Sequence, residues 1–321
     1  MADTSKFSRI LVTGGAGFIG SEYVRLAISG ALYGGVPDKV QVLDLLTYAG
    51  NTKRLFSVSQ SSRFEFIQGS INDIDLVDKL ISQNDAVLHF AAESHVDRSI
   101  LDSTKFVETN VLGTNVLLSA ATKHNKTVIL ISTDEVYGSL AQGLATEESA
   151  LCPSSPYSAS KAAGDLLALA FHTTHGLDVR ITRAANNYGK YQDNEKLIPK
   201  SIQHLQAGMP IRLYGNGGNI RNWLHISDHC DAISRVLHLG SAGEVYNVGG
   251  EESYTNIEIA KTLVQYFGKS KEDFEFTADR LGHDWRYAVD SLKIKKKLGW
   301  VPQRKLLDSI QEIADEQNFL S

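Results

Sequence analysis

A tyrosine and a lysine four residues apart are the first side chains in the sequence that could do chemistry together. Tyr157 and Lys161 stand in SPYSASKAAGD, within a pattern that predicts a helix over residues 157–174. Residues four apart share one face of a helix, so the phenol and the ammonium would be neighbours. A free tyrosine has a pKa of roughly 10, and a nearby positive charge favours the phenolate and lowers that pKa. The pair therefore predicts a general base that works near neutral pH, with Lys161 also able to hold a cofactor ribose.

A second group of reactive side chains follows a predicted strand. Thr133, Asp134 and Glu135 come directly after the strand that ends at Ile131, in ISTDEVYG. Two adjacent acids are usually solvated loop charges, but ligands of a parallel sheet bind at the carboxyl ends of its strands. At that position the two acids would point into the cleft, where they are candidates for acid-base chemistry.

Near the N-terminus, a glycine pattern predicts a dinucleotide site. Gly14, Gly17 and Gly20 are spaced three apart in ILVTGGAGFIG, directly after a strand and at the start of a helix. Turns also use glycine, but here backbone N–H groups and a helix N-terminus could meet a pyrophosphate. Asp44 ends the next strand, in VQVLD. A carboxylate there accepts a hydrogen bond from the ribose 2′-OH and repels a 2′-phosphate, which favours NAD over NADP.

These motifs all follow short apolar runs that alternate with helical patterns. The runs at 10–12, 40–43, 64–67, 86–90, 128–131 and 179–182 predict strands, and 104–123 and 157–174 predict helices. The fold class is therefore α/β, with a doubly wound parallel Rossmann sheet and a smaller C-terminal substrate-binding region. We expect an NAD-binding domain over 1–183, completed by later segments such as 244–248, and a mainly substrate-binding domain over 184–321.

The bulk composition fits a packed enzyme. Of 321 residues, 42% are hydrophobic and 21% charged, and the net charge of −5 argues against nucleic-acid binding. No apolar stretch approaches the roughly 18 residues that span a bilayer, and the N-terminus lacks the organisation of a signal peptide. Cys152 and Cys230 allow one disulfide at most. We expect a cytoplasmic protein with no nucleic-acid or membrane partner and no metal.

Seven ordered segments resemble dTDP-glucose 4,6-dehydratases, which are extended short-chain dehydrogenases, over nearly the whole chain. They are TGGAGFIG (13–20), LDLLTYAGN (43–51), AAESHVDRSI (91–100), STDEVYG (132–138), YSASKAAGD (157–165), NNYGKYQDNEKLIP (186–199) and DRLGHDWRYAVD (279–290). The resemblance implies an NAD cofactor, a nucleotide-sugar substrate and a homodimer formed through two long helices, for which 104–123 and 157–174 are the candidates.

The resemblance also implies an internal redox cycle. Tyr157 takes the C4 hydroxyl proton while the C4 hydride goes to NAD. The new ketone acidifies the C5 hydrogen, which Glu135 removes while Asp134 protonates the departing C6 hydroxyl. Hydride then returns to C6 and gives a 4-keto-6-deoxy sugar, with Thr133 bonded to the C4 oxygen.

Binding residues carry over from the same family. The cofactor residues would be Gly14, Gly17, Phe18, Ile19, Gly20, Asp44, Leu45, Leu46, Thr47, Ser70, Ile71, Phe90, Ala91, Ala92, Ser94, Thr109, Tyr157, Lys161 and Asn187. The substrate residues would be Ser94, Thr133, Asp134, Glu135, Asn186, Lys196, Leu197, Tyr214, Arg221, Asn256, Arg280 and His283. Arg221 and Arg280 suit a diphosphate, although surface ion pairs are the alternative, and Tyr214 could be a packing aromatic.

Three positions depart from the family pattern, and other functions remain open. Ser70 stands where an acid often meets the adenine, Lys190 replaces a proline, and Asn222 replaces an aspartate. The alternatives are a nucleotide-sugar epimerase or decarboxylase of the same superfamily, or a non-catalytic NAD-binding protein. The adjacent acids 134 and 135 argue against both, while the choice between dTDP and UDP stays open.

Overall fold

Residues 7–269 and 273–316 are described by a computed structural model of the chain. The strands are β1 (Arg9–Thr13), β2 (Lys39–Asp44), β3 (Phe64–Gln68), β4 (Ala86–His89), β5 (Thr127–Thr133), β6 (Val179–Ala184), β7 (Asn186–Tyr188), β8 (Ile211–Tyr214), β9 (Ile220–His225), β10 (Val245–Val248), β11 (Ser253–Thr255) and β12 (Phe274–Thr277).

Helices connect and cover these strands. They are α1 (Phe18–Ser29), α2 (Ile74–Ser82), α3 (Val96–Leu101), α4 (Thr104–Phe106), α5 (Thr114–Lys123), α6 (Pro156–His175), α7 (Leu197–Gln206), α8 (Ile226–Leu239), α9 (Asn256–Tyr266), α10 (Leu292–Leu298) and α11 (Leu306–Glu316). Short segments of 3-10 helix lie at Thr52–Val58 and Asp134–Tyr137. Over the described ranges, no helix has both the length and the apolar character needed to cross a membrane.

A seven-stranded sheet occupies the centre, in the order β10-β6-β5-β4-β1-β2-β3, with every pair parallel. The predicted α/β class and the six predicted strands are confirmed, with bounds shifted by one or two residues. Strand β10 pairs with β6, so the late segment predicted at 244–248 does join the first sheet. The division of the chain at residue 184 stays a prediction.

Apolar side chains cover both faces of this sheet. Successive residues of β1 point to opposite sides, so Ile10 and Val12 join one core cluster while Leu11 joins the other. A third cluster lies among α7, α9 and α11 and contains Ile202, Leu263 and Ile313. The sheet is therefore buried on both faces, which explains why its strands are nearly continuous apolar runs.

The predicted helix at 104–123 is present but changes type in its middle. Between α4 and α5, residues Val107–Gly113 form a π-helix, in which each turn holds more residues than in an α-helix. The Asn110 side chain accepts from Glu93 N at 2.9 Å and donates to Ser160 Oγ at 2.8 Å. The prediction of a helix over these residues is confirmed, with a π-helical middle that tertiary hydrogen bonds of the buried Asn110 stabilise. The helix at 157–174 is confirmed as α6.

The close packing around Gly14, in the loop between β1 and α1, predicts how much a methyl group there would lower the free energy of unfolding. Gly14 has φ +69°, and a Cβ there would lie 2.5 Å from Ala91 N, whereas Gly143 has φ +74° with nothing within 4 Å of its Cβ position. Gly143→Ala therefore carries only the backbone cost, about 1–2 kcal/mol. Gly14→Ala should cost a further ~1–3 kcal/mol for the steric overlap. Denaturant unfolding of both variants checks this, and equal losses would contradict it.

Candidate active site

One cavity of about 960 Å³ opens at the carboxyl ends of β1, β2, β4, β5 and β6. All residues that the sequence assigned to the cofactor line it except Leu46. The Leu46 backbone N–H instead donates to Asp44 Oδ1 at 2.8 Å. The sheet thus gathers at one edge side chains that are far apart in the sequence, as the parallel topology predicts.

The cofactor end of the cavity has the shape and the donors that a dinucleotide needs. A Cβ on Gly20 would lie 2.4 Å from Gly14 O, so only glycine leaves this turn open beside the N-terminus of α1. Ala16 N donates to Asp44 Oδ2 at 2.9 Å, and with the Leu46 contact this fixes the carboxylate at the cavity wall. The residues present therefore fit NAD.

The predicted reactive residues Thr133, Asp134, Glu135, Tyr157 and Lys161 all line the same cavity. Thr133 ends β5 and caps the turn Asp134–Tyr137, since its Oγ1 accepts from Glu135 N at 3.3 Å. The same hydroxyl lies 3.4 Å from Asp134 Oδ1. A second capping interaction starts the helix with Tyr157 and Lys161: Ser155 Oγ accepts from Ser158 N at 3.1 Å.

The two adjacent acids, Asp134 and Glu135, differ in the charged groups that shift their pKa values. Burial and the charge of Glu135 raise the pKa of Asp134 to about 8. Asp134 Oδ2 is buried and has no hydrogen-bond partner among the described residues. Burial also raises the pKa of Glu135, but the positive charges of Arg221 and Arg280 oppose that rise. Asp134 is therefore mostly protonated at neutral pH. Arg221 opposes the rise at both acids, whereas Arg280 and Lys196 act on Glu135.

The tyrosine and lysine depart from the sequence prediction. Burial lowers the pKa of Lys161 to about 8, and its Nζ donates to Ile131 O at 2.8 Å. Burial, and next the charge of Glu135, raise the pKa of Tyr157 above its ordinary value. Among the protein's own groups, burial and the negative charge of Glu135 therefore favour the protonated phenol. The lowering predicted from Lys161 together with a positive nicotinamide stays a prediction.

Beneath these groups lies a buried polar chain. Asp165, one helical turn beyond Lys161, accepts from Arg183 Nε at 2.8 Å. Arg183 Nη1 donates to the Tyr137 hydroxyl at 2.9 Å, and that hydroxyl donates to Asn247 Oδ1 at 2.8 Å. The chain connects α6, β6, the turn Asp134–Tyr137 and β10, and so fixes the helix with the tyrosine relative to the turn with the acids.

The predicted substrate residues do not all lie in one place. Ser94, Asn186 and Lys196 line the cavity with the reactive group, and Lys196 Nζ donates to Ser94 O at 3.2 Å. Leu197 instead packs against the third core cluster, and Asn256 begins α9, where its N–H donates to Asn219 O at 3.0 Å.

A polar cluster around Asp97 contains three more of the predicted substrate residues. The Tyr214 hydroxyl donates to Asp97 Oδ2 at 3.2 Å, and Arg280 Nε lies 3.8 Å from Asp97 Oδ1. The rings of Tyr214 and His283 are 6.0 Å apart. Arg221 is buried and donates to Asp284 O at 2.9 Å, while its charge acts on Glu135. These side chains do not line the cavity itself.

Of the three departures from the family pattern, only one faces the cavity. Ser70 lines it, and its hydroxyl accepts from Asn72 N at 3.1 Å. Asn222 is buried and donates to Gly250 O and Glu252 O, both at 2.9 Å, so it holds a loop. Lys190 Nζ lies 5.0 Å from the centre of the Tyr191 ring.

Sequence reasoning missed a buried histidine in the cavity wall. His229, on α8, has its Nδ1 2.9 Å from Asn187 Oδ1, while Nε2 is buried without a partner among the described residues. The Asn187 amide nitrogen donates to Ala185 O, so His229 Nδ1 is the donor and Nε2 an acceptor. Burial lowers the pKa of His229 to about 3. No spacing signal pointed to it, since only tertiary folding brings α8 beside the glycine loop.

Comparison with known proteins adds sequence and fold relatives. A family model described as GDP-mannose 4,6 dehydratase matches residues 11–313. A dTDP-glucose 4,6-dehydratase from Streptomyces niveus is 50% identical over 308 residues, 96% of this chain and 92% of that protein. The crystal structure of DesIV, a dTDP-glucose 4,6-dehydratase from Streptomyces venezuelae with NAD bound, matches with a TM-score of 0.94 and 49% identity over 97% of both chains. A UDP-glucuronic acid 4-epimerase from Bacillus cereus, solved with UDP-glucuronic acid and NAD, has a TM-score of 0.91 but 29% identity, over 98% of this chain and 100% of that chain.

The raised pKa of Asp134 predicts a pH-dependent stability. The folded value of about 8 lies above the ordinary 3.8, so folding takes up a proton between these values. The stability that Asp134 contributes is complete below about pH 4 and is lost as the pH rises towards 8. The asparagine of Asp134→Asn does not titrate. The free energy of unfolding of this variant relative to wild type should therefore grow from pH 5 to 8, by up to about 1.4 kcal/mol per pH unit. Above pH 8 the difference should level off.

Denaturant unfolding at pH 5, 7 and 9 measures this difference. Asp38→Asn is the control, because hydrogen bonds from Ser8 and Arg63 lower the pKa of that exposed carboxyl and its titration lies below this range. A constant difference between wild type and Asp134→Asn across the three pH values would contradict the burial argument.

Proposed function

The chain belongs to the family of dTDP-glucose 4,6-dehydratases, and we propose that it eliminates water from the sugar with Asp134 and Glu135. Its activity is the NAD-dependent dehydration of dTDP-glucose to dTDP-4-keto-6-deoxyglucose. One observation carries the proposed residue roles: the acid pair lines the same cavity as Tyr157 and Lys161. Oxidation and elimination can therefore act on one bound sugar.

The glycine loop and the end of β2 are proposed to hold the cofactor. When bound, NAD supplies a hydride acceptor for C4 of the sugar and a hydride donor for C6. Gly14 and Gly20 keep the backbone accessible to the pyrophosphate, and Asp44 has free lone pairs for the ribose hydroxyls. The negative charge of Asp44 would repel a 2′-phosphate, which explains the choice of NAD.

Tyr157 is proposed to take the proton of the C4 hydroxyl, with Thr133 bonded to the same oxygen. Because burial raises the pKa of Tyr157, its deprotonation needs positive charge close by. Lys161, with a pKa of about 8, is mostly charged at neutral pH and lies one helical turn away. The positive nicotinamide ring of the bound cofactor is the second source of such charge.

The acid pair is proposed to carry out the elimination. A ketone at C4 acidifies the hydrogen at C5, which Glu135 removes. Asp134 is already protonated at neutral pH because its pKa is about 8, so it can give its proton to the departing C6 hydroxyl. Two neighbouring carboxyl groups thus divide the work of base and acid because their environments differ.

Two other functions fit the residues less well. An epimerase or decarboxylase on this scaffold needs no protonated acid at the position of Asp134. A non-catalytic NAD-binding protein needs neither the acid pair nor a buried Tyr157. The charge repulsion and desolvation at Asp134 are costs that an acid-base function explains.

We also propose that the protein is a homodimer through α5, α6 and the π-helix between α4 and α5. Val107, Leu112 and Leu166 are all more than half exposed on these neighbouring segments. Leu167 and Phe171 are partly buried on the same helix as Leu166. A second copy would bury this apolar surface.

The proposed roles predict that oxidation and elimination can be separated. Glu135→Gln should still reduce bound NAD when dTDP-glucose is added, yet lose exchange of the C5 hydrogen with solvent deuterium by about 10²–10⁴-fold. Asp134→Asn should keep some C5 exchange while formation of the keto sugar slows. Tyr157→Phe should block the absorbance of bound NADH itself. Absorbance at the NADH band and mass spectrometry of the recovered sugar give the two readouts.

The exposed acid Glu148 provides the control for this series, since Glu148→Gln changes a carboxyl outside the cavity wall. Wild-type C5 exchange in Glu135→Gln, or normal NADH formation in Tyr157→Phe, would assign the base to another residue. Wild-type protein that makes no alkali-sensitive keto product from dTDP-glucose would refute the activity.

The proposed interface predicts that a charge at Leu166 separates the subunits. Wild type should show the mass of a dimer by light scattering at micromolar concentration, and Leu166→Glu should shift it towards the monomer, because a charge would be buried in the contact. Leu307→Glu, at an exposed leucine of α11, should leave the mass unchanged. A monomeric wild type would disprove the dimer.

A further inference from the structure

The loop of residues 189–196, between β7 and α7, is held to the cofactor side of the cavity by polar contacts. We name this loop the strap. It contributes Gln192, Asp193 and Lys196 to the cavity wall. At its C-terminal end, Lys196 Nζ donates to Ser94 O at 3.2 Å, next to the loop that follows β4. The strap therefore borders the cavity and is anchored on the side of the sheet that carries the cofactor residues.

A buried arginine anchors the strap at a second point. Arg54 lies in the turn Thr52–Val58, and its side chain is only 4% exposed. Its Nη2 donates to Asp193 Oδ1 at 2.6 Å. Its Nη1 donates to Ala49 O at 2.6 Å and to Ala16 O at 3.2 Å. One planar guanidinium thus bonds the strap, the loop after β2 and the glycine loop at the same time.

These contacts reach the groups that meet the dinucleotide. Ala16, whose carbonyl accepts from Arg54, is also the residue whose N–H donates to Asp44. A neighbouring contact strengthens the junction from α1: Arg25 Nη1 donates to Arg54 O at 2.6 Å, and the Arg25 guanidinium lies 5.0 Å from the centre of the Tyr191 ring in the strap. Movement of the strap away from Arg54 would therefore disturb the glycine loop and the ribose-facing carboxylate.

We propose that the Arg54–Asp193 ion pair is a latch that retains NAD by joining the strap to the cofactor loops. The inference rests on the proposed function, in which the hydride taken from C4 returns to C6 of the same sugar. The cofactor must then stay bound between the two transfers, and retention is a matter of the dissociation rate. Arg54 and Asp193 are positioning residues: they act through the glycine loop, Asp44 and the strap.

The test removes the charge of Asp193 and keeps its shape. Asp193→Asn should release NAD at least about tenfold faster, because a neutral group replaces a charged acceptor of a largely buried arginine. NAD that stays with the protein after gel filtration is measured by its absorbance in the supernatant of acid-precipitated protein. The KM for added NAD should rise by a similar factor, with a smaller change in kcat.

Glu275→Gln is the matched control. It removes the acid of the Arg212–Glu275 pair, which has a similar separation of 2.7 Å but is exposed and joins β8 to β12 away from the cavity. Its NAD content should equal that of wild type. If Asp193→Asn does not fold, Arg54→Lys carries the test, since an ammonium cannot reproduce the three bonds of the guanidinium and should also release NAD faster.

If Asp193→Asn retains as much NAD as wild type, the latch is overturned. The latch is also overturned if Glu275→Gln loses as much NAD as Asp193→Asn does. Where Arg54→Lys replaces Asp193→Asn in the test, retention of NAD at the wild-type level overturns the latch as well. Release is measured without sugar. A wild-type protein that fails to dehydrate dTDP-glucose therefore refutes the proposed function, while faster release from Asp193→Asn still supports the latch.

Discussion

Desolvation at the carboxyl edge of the large sheet controls the ionisation of the whole candidate site. Burial raises the pKa of Asp134 to about 8 and lowers that of Lys161 to about 8, so the acid keeps its proton and the base gives one up more readily. The same burial raises the pKa of Tyr157. Charged groups nearby, Arg221 above all, act against desolvation at Glu135. The site is thus a dry region in which a few full charges decide which group is protonated.

Such a region needs rigid support, because an unpaired buried charge is costly. The ion pair of Asp165 with Arg183 lies in the layer below the reactive groups, with both side chains almost fully buried. Arg183 also holds Tyr137, two residues after Glu135 in the same turn. The buried pair contributes little net stability by itself. It joins the helix of Tyr157 to the turn of the acids through Tyr137.

Local patterns were enough to predict the sheet and to select five candidate reactive residues that line one cavity, because strand ends and glycine loops are encoded by short segments. The family resemblance seen in seven such segments is confirmed by full-length relatives. Patterns failed where the outcome depends on distant contacts. The π-helix around Asn110 depends on Glu93 and Ser160, and the pKa of Tyr157 depends on what buries it. No local signal placed His229 in the cavity wall, where the packing of α8 brings it. None placed Arg54 beside the strap either, since its partner Asp193 is 139 residues away in the sequence.

The late arrival of β10 has a consequence for synthesis of the chain on the ribosome. Until residue 248 has emerged, β6 is an unpaired edge strand whose backbone groups can pair with another nascent chain. The helix α8, which packs against β6 and β5, is also made only after residue 226. A chain halted near residue 184 would therefore expose the unpaired edge of β6 and an uncovered apolar face of the sheet at the same time. That order of assembly favours aggregation of incomplete chains, and we expect chaperones that bind extended apolar segments to protect them.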